Sequence, residues 1–107
     1  MAADGRTGPM FYVVLRRRGP LWNPALPLDQ QFGWDEHAAF MDGLVDTGFV
    51  VLGGPLADEE RVVLVIEAAS EEDVRTTLAR DPWHGSHLVL ASVDRWTIRL
   101  DGRNRAT

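Results

Sequence analysis

The sequence predicts an α+β domain of order βαββαβ, and three observations carry that expectation. Four stretches are rich in β-branched and aromatic residues, two others show a helical apolar period, and Gly and Pro punctuate the joins. Met10 to Arg18 reads as the first strand and ends at Gly19-Pro20. Residues 19 to 33, with Pro20, Pro24, Pro27, Trp22 and Asn23, have no regular period and form a long loop of the kind that is often functional. From Trp34 a helical stripe appears, with His37, Met41 and Leu44 at i, i+4 and i+7 and with Phe40 and Val45 widening it. Asp35 and Glu36 suit the positive end of that helix, and Gly48 suits its exit.

Phe49 to Leu52 is a short second strand closed by Gly53-Gly54-Pro55. Asp58 to Arg61 reads as the turn into a third strand, Val62 to Ala68, which completes a hairpin. Ser70 is an N-cap with Asp73 three residues on, and Val74, Leu78 and Asp81 share one face of the second helix until Pro82 stops it. Leu88 to Leu100 is the fourth strand, followed by a polar tail, Asp101 to Thr107. With right-handed crossovers split around the hairpin, this order builds a ferredoxin-like arrangement: a four-stranded antiparallel sheet with two antiparallel helices on one face.

Composition narrows the function classes. A chain of 107 residues fits a single domain with a core of its own. No apolar run approaches the ~18 residues of a membrane helix, so a soluble protein is expected, with no membrane partner. Cysteine is absent, which removes disulfides and thiolate metal sites and fits a reducing compartment. Residues 1 to 9 are polar and Gly-rich without the apolar core of a secretion signal; they read as a disordered lead-in to a cytoplasmic protein. The net charge of -5 argues against a general nucleic-acid binder, which needs a basic face. Arg16-Arg17-Arg18 is the one basic cluster, read either as the solvated end of the first strand or as a site for an acidic substrate.

The predicted topology gathers chemistry at one end of the molecule. The first strand's end, the first helix's start, the second strand's end and the second helix's end all point the same way. His37, Asp81, the 19 to 33 loop and Gly53-Gly54-Pro55 therefore meet around one mouth. A histidine oriented by a carboxylate moves protons near neutral pH, so His37 is the candidate general acid or base and Asp81 the group that orients it. Each has a plainer reading: a partly buried histidine satisfied by one hydrogen bond, and an aspartate that shapes the turn before Pro82. Trp22, Trp34 and Trp83 read as an aromatic wall for a flat substrate or as core filling. Asn23, Gly54, Pro55 and His84 belong to the same mouth, where Gly54 either lets a ligand approach the backbone or merely makes a tight strand exit. His84 and His87 at i, i+3 are spaced for two metal ligands, but no third ligand is evident and no metal site is assigned. The strands carry one more message, since Tyr12 and Val14, and Val63 and Val65, make the second sheet face apolar too. A second copy of the chain is the simplest cover, giving a homodimer.

Taken in order, Phe11-Tyr12-Val13-Val14-Leu15, Trp34-Asp35-Glu36-His37, Val51-Leu52-Gly53-Gly54-Pro55 and Asp81-Pro82-Trp83 resemble the YCII-related (YciI-like) family of dimeric α+β barrels. The resemblance covers roughly residues 10 to 100. It implies a dimeric barrel, a His and Asp pair at His37 and Asp81, and no fixed cofactor. One related member acts as a dehydrochlorinase on a hydroxylated chloroaromatic. The resulting expectation is a small-molecule enzyme performing elimination, isomerisation or hydrolysis on an aromatic or lactone-like substrate. A non-catalytic ligand-binding module and a purely structural dimerisation domain are the competing classes.

Overall fold

The computed structural model describes residues 8–104. Its strands are β1 (Met10–Arg16), β2 (Val50–Pro55), β3 (Arg61–Glu67) and β4 (Val89–Trp96), and its α-helices are α1 (Trp34–Asp46) and α2 (Glu71–Leu78). Short 3-10 turns lie at Leu28–Gln30 and Gly102–Asn104. One sheet has the order β2-β3-β1-β4, and every neighbouring pair is antiparallel. Period-two burial explains the register. Phe11, Val13 and Leu15 lie opposite Ile66, Leu64 and Val62, and Val13 also faces Val93. These inward residues join Val74 and Leu78 of α2, while Met41 and Leu44 of α1 pack against the same cluster. The core thus lies between the helices and one face of the sheet.

Helix α1 begins where the sequence places it, after Gly33, whose φ of 80° needs glycine. A Cβ there would also stand 3.2 Å from Trp83 Nε1. Helix α2 is capped as expected, the Ser70 hydroxyl accepting from the Asp73 N–H at 3.1 Å. It closes sooner than predicted, however, at Leu78. The Arg80 and Asp81 N–H groups bond to the carbonyls of Thr77 and Leu78, so the chain tightens into i→i+3 geometry and Asp81 lies past the helix. Pro82 explains the change, because it disfavours helical backbone at the residue before it.

Strand β2 is longer than predicted and includes Gly53-Gly54-Pro55, which pair with Leu64, Val63 and Val62 across a register shift between Val50 and Leu52. At a sheet edge a proline forfeits no ladder bond, so β2 tolerates it. The hairpin closes on Asp58, whose carboxylate accepts from the N–H groups of Glu60 and Arg61 and from Arg61 Nε. Those bonds hold its pKa far below the usual carboxylate range, Arg61's backbone N–H contributing most.

Strand β4 stops at Trp96 rather than at Leu100. Ile98 to Arg103 instead run beside Leu52, Val65 and Trp96, so the chain's own C-terminal segment borders part of the outer sheet face. At the other terminus Gly8 and Pro9 are tied to the end of β3, through Gly8 N–H to Glu67 Oε2 at 3.0 Å and Ala68 N–H to the Pro9 carbonyl at 3.1 Å. The expectation of a disordered lead-in otherwise falls on residues 1 to 7, outside the described residues, as do 105 to 107 of the tail. Among the described residues no helix is long and apolar enough to cross a membrane.

The 19 to 33 loop is pinned where it crosses the segment after Pro82. Gly19 N–H bonds to the His87 carbonyl and Leu21 N–H to that of Ser86. A Cβ at Gly19 would overlap the Ser86 carbonyl group, and backbone cannot rotate away as a side chain can. Gly19→Ala is therefore expected to destabilise the protein by at least about 1–3 kcal/mol in chemical denaturation. An unchanged midpoint would show that the crossing does not hold the loop.

Candidate active site

Asp81 carries two duties that the sequence presents as alternatives. Its Oδ1 accepts the Trp83 N–H at 2.9 Å, which shapes the turn after α2. Both carboxylate oxygens also stand 2.9 Å from His37 Nδ1. The pair is buried, His37 being 9% exposed and Asp81 8%. A carboxylate there fixes the tautomer: Nδ1 carries the proton and donates it to Asp81, leaving a lone pair on Nε2. Nε2 makes no hydrogen bond among the described residues, where no buried side-chain nitrogen or oxygen lacks a partner. It follows that Nε2 reaches open space.

That space is a cavity of about 320 Å³. Trp34, Gly54, Pro55, Trp83 and His84 line it together with His37 and Asp81, so most of the predicted mouth is assembled. Otherwise its wall is mainly aliphatic, with Met41, Val50 and Leu64 among the contributors. The two glycines separate by role. A Cβ on Gly53 would come within 2.7 Å of Leu64 Cδ2, so Gly53 serves packing; at Gly54 a Cβ would meet nothing within 4 Å, and the space beside it is open.

Trp22 and Asn23 do not line this cavity; Leu28 brings the proline-rich loop to it instead. The cause is Gln31, buried at 4% exposure, which knots the loop on itself. Its Oε1 accepts the Asn23 N–H, and its Nε2 donates to the carbonyls of Asn23 and Leu26. Asn23 is thereby committed to the loop's interior bonding. Trp22 stands behind the site, edge-on to Trp83 at 5.9 Å.

The indole of Trp83 is the structural centre of the site. It stacks on the His37 ring at 4.2 Å with 6° between planes, and it also stacks on His87 at 4.6 Å and 20°. Its Nε1 donates to the Phe32 carbonyl at 2.9 Å, and Trp34 leans on both Trp83 and His37. Aromatic wall and core filling are both served, Trp34 and Trp83 bordering the cavity while Trp83 is itself buried. His37 is thus held by Asp81 in its plane and by Trp83 against its face.

His87 and Arg17 were not in the predicted site. His87 stacks on Trp83 without lining the cavity, and among the described residues no group of three His, Cys, Asp or Glu is arranged to hold a metal ion. Arg17 continues the inward parity of Leu15, a signal the sequence contained. Burial lowers the pKa of His87, nearby His37 lowers it further and Asp81 opposes them. The unfolded chain, whose histidine titrates near about 6.5, then binds the proton more readily than the folded one. Stability from this group is complete above that value and lost as pH falls through the lower folded value. His87→Phe should therefore flatten the decline in stability between about pH 7 and 5. Parallel pH profiles for the two proteins would contradict it.

Comparisons of the chain with models of protein families, with curated proteins and with solved structures found no match.

Proposed function

We propose that this protein is a small-molecule enzyme in which His37 Nε2 transfers a proton within the cavity and Asp81 orients and electrostatically supports the imidazole. The observation that carries the reading is the division of labour on one ring: Nδ1 lies 2.9 Å from both Asp81 oxygens while Nε2 has no hydrogen-bond partner among the described residues. A substrate seated between Trp34, Gly54 and Trp83 would present an acidic C–H or O–H to Nε2. As the ring takes that proton, the Asp81 carboxylate stabilises the imidazolium. Returning the proton to another atom is isomerisation, losing a leaving group is elimination, and passing it from water is hydrolysis. The mainly apolar wall favours an aromatic or lactone-like substrate. A panel of hydroxyaromatic and lactone compounds, followed by absorbance, tests the reading. Turnover that disappears in His37→Gln is expected; ligands that bind without turnover would make the protein a binding module.

The same reading takes the fold as the ferredoxin-like plan of a YCII-related dimeric α+β barrel, supported by the strand order β2-β3-β1-β4 and by the four motifs in their order. The lack of cysteine fits a cytoplasmic setting. A second copy would cover the outer sheet face, where Tyr12, Leu52 and Trp96 remain 36%, 55% and 42% exposed although the C-terminal segment borders Leu52 and Trp96. Sedimentation at micromolar concentration is expected to give a dimer, and Val63→Glu on that face a monomer. A wild-type monomer would overturn the dimeric part of the proposal.

A further inference from the structure

Three consecutive arginines stand where the first strand ends, Arg16 within it and Arg17 and Arg18 just past it, and their partners differ. Arg16 and Arg18 both engage Glu60: Arg16 donates to its two oxygens at 3.0 Å each, and Arg18 Nε lies 2.6 Å from Oε2. Arg17 has no comparably close carboxylate among the described residues. Its Nη1 donates to the Glu59 backbone carbonyl at 2.8 Å, and the closest acidic oxygen, Glu59 Oε1, is 3.8 Å away on a side chain that is 80% exposed. The Arg17 side chain is only 9% exposed, and its guanidinium lies 5.3 Å from the Trp22 ring centroid. A largely covered cation with so little countercharge attracts an anion more strongly than a fully solvated one, because less water screens it.

Arg17 also forms part of the wall of the cavity that holds His37 and Asp81. Its Nε and Nη2 make no hydrogen bond among the described residues, where no buried side-chain nitrogen is unpartnered, so these donors are accessible; Arg17 stands between this cavity and a second pocket that it borders with Trp22 and Glu59. Elsewhere the ionisable side chains on the cavity wall are His37 and His84 together with Asp81, whose oxygens are already engaged. We propose that Arg17 is the anion-recognition residue of this cavity, and that its natural ligand is a small ring compound carrying an ionised carboxylate or phenolate. The inference rests on the reading of the cavity as a substrate site and names the substrate's charge. An aromatic or alicyclic body would lie against Trp34 and the aliphatic wall, while the planar guanidinium fork would take the anion as no ammonium could.

Benzoate and benzamide make the test, since they share shape and differ in charge. Titrated into the ¹⁵N-labelled full chain and followed by NMR, benzoate is expected to bind about tenfold or more tightly than benzamide. That preference should vanish in Arg17→Gln, survive in part in Arg17→Lys and persist in His37→Gln. Equal affinities for the two probes, no benzoate binding at millimolar concentration, or loss of the preference in His37→Gln alone would each overturn the proposal. Should Arg17→Gln fail to fold, the Arg17 Nε–H signal of the wild-type protein decides: it is expected to move with benzoate and not with benzamide, and an unmoved signal counts against Arg17. The catalytic reading fails separately. A protein that prefers benzoate through Arg17 but turns nothing over supports this inference and not that one.

Discussion

His37→Gln is expected to reduce turnover by ~10²- to 10⁴-fold, the range a positioned general base or acid contributes, while the melting transition stays cooperative. Gln at this position keeps a donor for Asp81 but has no group that exchanges a proton near neutral pH. Asp81→Asn should also lower turnover, through a different atom. The amide oxygen can still accept the Trp83 N–H, which preserves the turn, but its NH₂ would then face His37 Nδ1. That forces the imidazole to accept at Nδ1 and to carry its proton on Nε2, so the lone pair is withdrawn from the cavity. Stability should change little, because the turn bond survives and one carboxylate is removed from the end of a helix whose dipole disfavours it. Kinetics and thermal melts of both variants check this together. Wild-type turnover in either one, or unfolding of Asp81→Asn, would return the pair to a structural role.

Trp83→Ala should be the most destabilising single change in the site, costing about 3–5 kcal/mol as large-to-small core substitutions do. It removes a buried indole together with both imidazole stacks and the bond to the Phe32 carbonyl. Trp83→Phe keeps a ring against the two histidines and gives up only the Nε1 bond, so about 0.5–1.5 kcal/mol is expected there. Denaturation midpoints at constant slope separate the two. If Trp83→Ala fell within about 1 kcal/mol of wild type, the indole would not be what anchors His37.

Strand and helix identities were legible because each rests on a short-range period. Phe11, Val13 and Leu15 alternate, His37, Met41 and Leu44 recur at helical spacing, and Ser70 with Asp73 marks a cap; each of these needs only neighbours a few residues away. The meeting of His37 and Asp81 across 44 positions followed from strand and helix directions, which the order βαββαβ constrains. Ends of elements were less legible. Pro82 shortened α2 by acting on Asp81, and an edge position let β2 continue through Gly53-Gly54-Pro55.

What the sequence determined by itself, then, was the set of elements and the end of the molecule where His37 and Asp81 meet. Only the tertiary structure decided which neighbours face the cavity. Gln31 reaches back to Asn23 and Leu26, turning Leu28 rather than Trp22 or Asn23 toward it. Arg16 and Arg18 converge on Glu60 across 44 and 42 positions, leaving Arg17, among the described residues, with only the exposed Glu59 carboxylate at 3.8 Å. The stack of His37, Trp83 and His87 joins a helix to the loop after Pro82. Periodicity carries information over one or two turns of chain, whereas the partner of a buried polar side chain is selected by packing among segments distant in sequence.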